Sequence, residues 1–179
     1  MKKIIFHIDV NSAYLSWSSL KALAEGKETD YRTIPCVVGG DESKRHGVVL
    51  AKSLSAKQYG IHTGESLFEA RRKCPGLTIL KPDFTTYVKM SRAMFRIFEK
   101  YSPDIYQYSI DEAFLDMTGM EELLGPPGQS ALRLKNEIRD TLGFTVNVGI
   151  SSNYLLAKMA SDFEKPDKIH TLFPEEIRE

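Results

Sequence analysis

An α+β sandwich, with helices packed on one face of an antiparallel sheet and a small α/β segment inserted after the first strand, is the fold class the sequence predicts. Three observations predict it. Short apolar runs and helical periodicities follow one another in the order β, insert, then α-β-β-α-β-α-β. Two of the strands are consecutive, which implies a central hairpin. The chain has 179 residues, of which 42% are hydrophobic, enough to bury a core.

Each element has a local reason. Residues 3–8 (KIIFHI) read as a buried strand. Asn11 and Ser12 can cap a helix beginning at Ala13, in which Ala13, Trp17, Leu20 and Ala24 recur at helical spacing as a core stripe. Residues 36–39 and 47–52 read as strands around a polar, glycine-rich turn. Short helices are expected near 53–59 and 66–73, stopped by Gly60 and by Pro75-Gly76. After Pro82, a long helix puts Phe84, Val88, Ser91, Phe95, Phe98 and Tyr101 on one face, with Tyr87 and Met94 beside them. The hairpin strands lie near 104–110 and 113–118. GPPG (125–128) reads as a loop. A helix near 130–142, the strand TVNVGIS, a helix from Asn153 to about Glu164 ended by Pro166, and a short edge strand near 169–173 complete the chain.

Lys plus Arg and Asp plus Glu are both 24, so bulk charge implies no partner. Local charge says more. Residues 31–81 hold nine basic and four acidic groups, whereas residues 101–129 hold six acids and no Lys or Arg. The first suits a polyanion and the second a cation. The start, MKKIIFHIDV, lacks the apolar run of a signal peptide, and no stretch is long enough to span a bilayer. Cys36 and Cys74 lack metal-ligand spacing and read as reduced thiols of a cytoplasmic protein.

The segment YQYSIDEAFLDMTG sets Asp111 beside Glu112 between the hairpin strands. Adjacent strand residues point to opposite faces, so the acids can share a ligand only at a turn. A two-residue loop at 111–112 pairs Ile110 with Ala113 and Tyr106 with Met117. It puts Tyr106, Tyr108, Ile110, Ala113, Leu115 and Met117 on a core face. Asp-Glu is poor chemistry for such a loop, which favours glycine or asparagine. A longer turn, functional strain and a solvated polar tip are the open alternatives. Asp9 ends the first strand on its more polar side. If that strand neighbours the hairpin, three carboxylates meet at one sheet edge with no nearby Lys or Arg, and they repel unless a cation joins them. Hard oxygen donors without His or Cys suit Mg²⁺ or Mn²⁺.

FHIDVNSAY, YSIDEAFLDMTG and VGISSNYLLAKMASDFEKPD, in this order, resemble the Y-family DNA polymerases, the DinB/UmuC/ImpB-like translesion enzymes, over nearly the whole chain. The resemblance implies a ferredoxin-like palm formed by residues 1–10 and 78–179, its mixed or antiparallel sheet carrying helices on one face. Residues 11–77 would form the fingers, and the thumb and little-finger domains are expected to be absent from this chain. It implies addition of deoxynucleotides to a primer 3′-hydroxyl by a two-metal mechanism, with weak DNA binding by this part alone. Asp9, Asp111 and Glu112 would be the catalytic residues. Together with the backbone carbonyl of Val10 they would hold two Mg²⁺ ions, for which Mn²⁺ can substitute. Asn11, Ser12, Ala13, Tyr14, Lys57 and Lys165 would contact the nucleotide, with Tyr14 as the gate against a 2′-hydroxyl. The implied partners are primer–template DNA, deoxynucleoside triphosphates and, through regions further downstream, a sliding clamp, with no membrane.

Two positions depart from the family's commoner pattern. Leu54 stands where many relatives have Tyr, and Lys57 where they have Arg. Lysine keeps the charge but loses the forked grip, and Ser53 or Ser55 is the candidate substitute hydroxyl. Lys158, Asp162 and Lys165 make one charged face, and the role of Lys158 stays open. Two rival readings remain. One is a non-catalytic polymerase-like scaffold, although such relatives lose the acids. The other is a nucleotide cyclase of the GGDEF type, from GGDES at 39–43, where a plain turn accounts better for the glycines.

Overall fold

The computed structural model describes residues 2–40 and 47–177. In chain order the elements are β1 (Ile5–Val10), α1 (Ala13–Ala24), β2 (Cys36–Gly39), β3 (Val49–Lys52), α2 (Leu54–Gln58), α3 (Leu67–Lys73), β4 (Thr78–Leu80), α4 (Phe84–Phe98), β5 (Asp104–Gln107), β6 (Glu112–Asp116), α5 (Glu121–Leu124), α6 (Pro127–Leu142), β7 (Val146–Ser151), α7 (Tyr154–Ser161) and β8 (Ile169–Thr171). The mixed α+β class is as expected. The chain divides into two compact units, residues 1–11 with 89–179, and residues 12–88, so the division falls inside α4. The Asp41, Glu42 and Ser43 of the GGDES motif, and the Lys44-Arg45-His46 that follows, lie outside the described residues.

The larger unit is built on a five-stranded sheet of order β5-β6-β1-β7-β8. β1 is its centre, antiparallel to both β6 and β7, while β8 runs parallel to β7. β1 and β7 are buried along nearly their whole lengths, residues of both faces included. That explains their near-continuous apolar sequences. Gly149 lies opposite His7 in the β1–β7 register. A side chain there would put its Cβ 1.9 Å from the Ala157 carbonyl oxygen and 2.5 Å from the Ser161 nitrogen. The backbone of α7 therefore rests directly on the strand. α7 is capped by Asn153, whose side chain accepts from the Leu156 N–H.

The smaller unit has a three-stranded sheet, β3-β2-β4. Alternation along β2 serves two cores. Cys36 and Val38 join Leu15 of α1, and Val37 joins Ala56, Leu67 and Ala70 of α2 and α3. Ser53 and Ser66 cap α2 and α3 by accepting from the N–H three residues on.

Several local expectations shift. α6 starts inside GPPG, because Pro127 fits the first helical turn, where no backbone donor is needed. α4 buries Tyr87, Ser91, Met94, Ile97 and Phe98, a stripe rotated from the expected face, and Phe84 and Val88 are exposed. In α1, Trp17 and Ala13 are buried as expected, but Leu15, Ser16 and Ser19 replace Leu20 and Ala24. β4 and the four-residue α5 are too short for periodicity to reveal.

Gly149→Ala should destabilise the protein by about 3 kcal/mol or more, since helix backbone cannot yield as a flexible side chain does. Urea unfolding reads this, and an unchanged midpoint would contradict the packing. Burial pushes the Cys36 thiol up to about 12, and Cys74 is also buried. A disulfide reagent should therefore label neither thiol in the native protein and both in urea. Rapid stoichiometric labelling without denaturant would count against this core.

Candidate functional site

The hairpin differs in register from the expected one: Ala113, Leu115 and Met117 are buried as expected, but the first arm is turned over. Tyr106 pairs with Phe114 and Gln107 with Ala113, not Tyr106 with Met117. The loop is longer than two residues, with the N–H groups of Tyr108 and Ser109 both donating to the Glu112 carbonyl. The offset is three residues, an odd number, so the first arm presents its other side to the face that Ala113 and Leu115 share. Tyr106 and Tyr108, expected in the core, are 58% and 54% exposed. They line a cleft of about 520 Å³ with Phe114, Tyr154, Leu155 and Lys158. The longer turn relieves the poor Asp-Glu loop chemistry: Asp111 sits in the loop and Glu112 opens β6. Ser109 Oγ donates to Asp111 Oδ1 at 2.7 Å and holds the turn.

The first strand does neighbour this hairpin. Asp9 of β1 is the register partner of Glu112. The next residue, Val10, donates its N–H to the Asp111 carbonyl at 3.1 Å. Burial raises the Asp9 pKa, Lys165 opposes the rise, and repulsion from Glu112 and Asp111 adds to it.

The expectation that no Lys or Arg lies near the acids is corrected. Lys165 donates to Asp9 and Lys158 to Glu112. Lys165 also pairs with Asp162 at 2.8 Å. Burial alone would lower the Lys165 pKa, but its bonds to Asp162 and Asp9 outweigh that and raise it. Lys158 lies 46 residues along the chain from Glu112, and Lys165 lies 156 from Asp9. Only the folding of α7 onto β1 and β7 brings them back. The donor chemistry fits a hard divalent cation, with carboxylate oxygens from two adjacent strands and no sulfur. The side chains are not gathered as a ligand set, however. Among the described residues no three His, Cys, Asp or Glu groups converge to hold a metal ion. A cation would have to exchange with the ammonium groups at Asp9 and Glu112.

His7, noted in the sequence only as polar, is 1% exposed beneath these acids. Its Nε2 lies 3.1 Å from Glu112 Oε2 and its Nδ1 2.7 Å from Ser161 Oγ. Burial first, then Lys158, lowers its pKa to about 4, against the pull of Glu112. The neutral ring is therefore the dominant form, and the carboxylate selects the tautomer that carries its proton on Nε2. In that tautomer the single Ser161 hydroxyl proton turns to Nδ1, away from the Lys158 carbonyl 2.8 Å from the same oxygen. A buried polar residue between apolar strand neighbours was the sequence signal for this contact.

The other expected site residues belong to several elements. Asn11 does not cap α1. Its Oδ1 accepts from Thr145 Oγ1 and the Asp167 N–H, and its Nδ2 donates to Asn147. Ser12 takes φ 45° and makes no capping bond, donating instead to the Lys52 carbonyl. A non-glycine residue in that region is strained, and such strain gathers at functional sites. Ala13 is buried at the start of α1. Tyr14 stacks on Tyr87 with ring centroids 4.6 Å apart and meets the edge of Phe84 at 5.9 Å. Lys57 is exposed on α2, as is Leu54. Ser53 is not a free hydroxyl, since it is 3% exposed and accepts from the Cys36 and Ala56 N–H groups. Ser55 donates to the Thr33 carbonyl.

Residues 8–162 match the impB/mucB/samB family. The chain is 53% identical to a DNA polymerase IV of Clostridium acetobutylicum, covering all of this chain and 45% of that protein. It is 36% identical to a DNA polymerase IV of Acetivibrio thermocellus, covering all of this chain and 43% of that one. Thus it spans a little under half the length of these curated relatives. Among solved structures, a Y-family DNA polymerase chimera superposes with a TM-score of 0.82 at 26% identity, over 97% of this chain and 49% of the other. DinB from Sulfolobus solfataricus gives the same TM-score at 25% identity and the same coverage. An acid pair in register across β1 and β6, a third acid in the adjoining turn, and a match running through all three agree on one lineage: the chain belongs to the impB/mucB/samB family.

Proposed function

We propose that the chain is the catalytic part of a DNA-directed DNA polymerase of the translesion type. It would join a deoxynucleotide to a primer 3′-hydroxyl with release of pyrophosphate. The observation that carries this reading is the register opposing Asp9 to Glu112 beside the Asp111 turn. Residues 1–11 with 89–179 serve as the palm and residues 12–88 supply the fingers. The curated relatives named above are DNA polymerases IV, which supports the substrate class.

In this reading Asp9, Asp111, Glu112 and the Val10 carbonyl would hold two Mg²⁺ ions. When bound, the ions activate the attacking hydroxyl and stabilise charge on the phosphates. His7 keeps Glu112 oriented by donating from Nε2. Lys165, released from Asp9, is a mobile ammonium for the triphosphate. Lys158 neutralises Glu112. Tyr14 is held flat by Tyr87, and a rigid ring is what a gate against a 2′-hydroxyl requires. Lys57 offers a point charge without a forked grip. Asn11, Ser12 and Ala13 contribute through their backbone at the end of β1, because the Asn11 side chain is committed inward.

The retained acids favour catalysis over a scaffold. The cyclase alternative rests on a motif whose Asp41, Glu42 and Ser43 lie outside the described residues, and it gains no support from the rest.

Mn²⁺ titration followed by electron paramagnetic resonance should show binding by the protein that weakens about tenfold or more in Asp9→Asn and in Asp111→Asn. Equal affinity in both variants would remove these acids from the ligand set. Net charge is zero, so the 179 residues should bind a primer–template duplex no better than roughly micromolar at physiological salt. Anisotropy showing nanomolar affinity would refute that.

A further inference from the structure

Asn147 is fully buried in the middle of β7, in the otherwise apolar run VNVGIS. An unpaired amide there would be costly, and every arm of this one is used. Nδ2 donates to the Ser161 carbonyl at 2.9 Å and to the Glu164 carbonyl at 2.6 Å. Oδ1 accepts from the Lys168 N–H at 3.2 Å and from Asn11 Nδ2 at 3.1 Å. The three backbone groups bracket one turn, from the end of α7 to the start of β8. Lys165 lies inside that bracket. Asn147 is also the register partner of Asp9, on the side opposite Glu112. The same amide that closes the turn thus stands across from the acid that Lys165 meets. A second tie sits at the far end of the turn. Buried Lys135 donates to Asp167 Oδ1 at 2.7 Å and to the Asp167 carbonyl at 3.1 Å.

We propose that Asn147 is the positioning residue for Lys165: its amide binds both ends of the 161–168 turn and so keeps the Lys165 ammonium at the Asp9 end of β1. A strand needing only to fill the core would carry Val or Ile here. Asparagine is explained by the four bonds, and the bonds by the turn they hold. Lys165 can then leave Asp9 for a triphosphate without searching, because the backbone that carries it is already fixed. This last step rests on the polymerase reading, but the positioning does not.

The test uses Asn147→Ala and, as a milder variant that keeps one donor, Asn147→Ser, both checked for folding by circular dichroism. Lysine acetylation read by mass spectrometry should show Lys165 reacting about tenfold faster in Asn147→Ala, with Lys100 unchanged and Asn147→Ser between, as expected for loss of hydrogen bonds that hold the turn. Unchanged Lys165 reactivity in either folded variant overturns the proposal. Titration with a fluorescent deoxynucleoside triphosphate forms the second arm. Asn147→Ala should weaken binding, and should weaken it no further when Lys165→Ala is already present. Independent, additive losses mean that Asn147 acts on structure generally and overturn the proposal. If the unmodified protein binds no triphosphate, the polymerase reading fails, and the acetylation result alone still decides the role of Asn147.

Discussion

The contact between the backbone of α7 and Gly149 is the constraint on which the larger unit depends. A helix normally stands off a sheet by the length of the intervening side chains. Here that spacing is removed at one point, and the consequences run outward from it. Ala157 can join Ile5 and Phe114 in a small apolar cluster. Ser161 comes within reach of His7, and Lys158 within reach of Glu112. The chain leaving α7 then passes over the end of β1 and delivers Lys165 to Asp9. A side chain at position 149 would lift all of these groups together.

The second organising force is electrostatic. Asp9 is largely shielded from water, with 15% of its side chain exposed, and faces other acids across a strand. Such an arrangement is unfavourable unless positive charge comes close. The fold supplies it from two lysines on long, retractable stems and not from arginine forks. A lysine can hold a carboxylate and then release it, which a bidentate arginine does less readily. The neutral His7 ring meanwhile gives Glu112 a hydrogen bond without adding another charge to the site.

Reading forward from the residues recovered the order of the longer elements (though not β4 or α5), the α+β class and the segments that carry the acids. It misplaced what depends on long-range pairing. The hairpin is the clearest case. Alternation matched a two-residue loop as well as a longer one, and the wrong choice put Tyr106 and Tyr108 inside. The face buried by α4 went the same way, since a helix with apolar residues on much of its circumference fits more than one rotation. Asn11 and Ser12 had the composition of a cap, but Asn11 is drawn to Asn147 and Asp167, and Ser12 is turned into the left-handed region.

What the amino-acid order determined by itself is local: where strands and helices form, which turns need glycine or proline, and that acids cluster at 9, 111 and 112. Those properties depend on neighbours a few residues apart. The tertiary structure alone decided that β1 lies between β6 and β7, which sets Asp9 against Glu112 on one side and Asn147 on the other. It also decided that Lys158 and Lys165 neutralise the acids. Such pairings join residues far apart in the chain, and they are chosen by the total burial and hydrogen bonding of the folded sheet, which no short window of sequence contains.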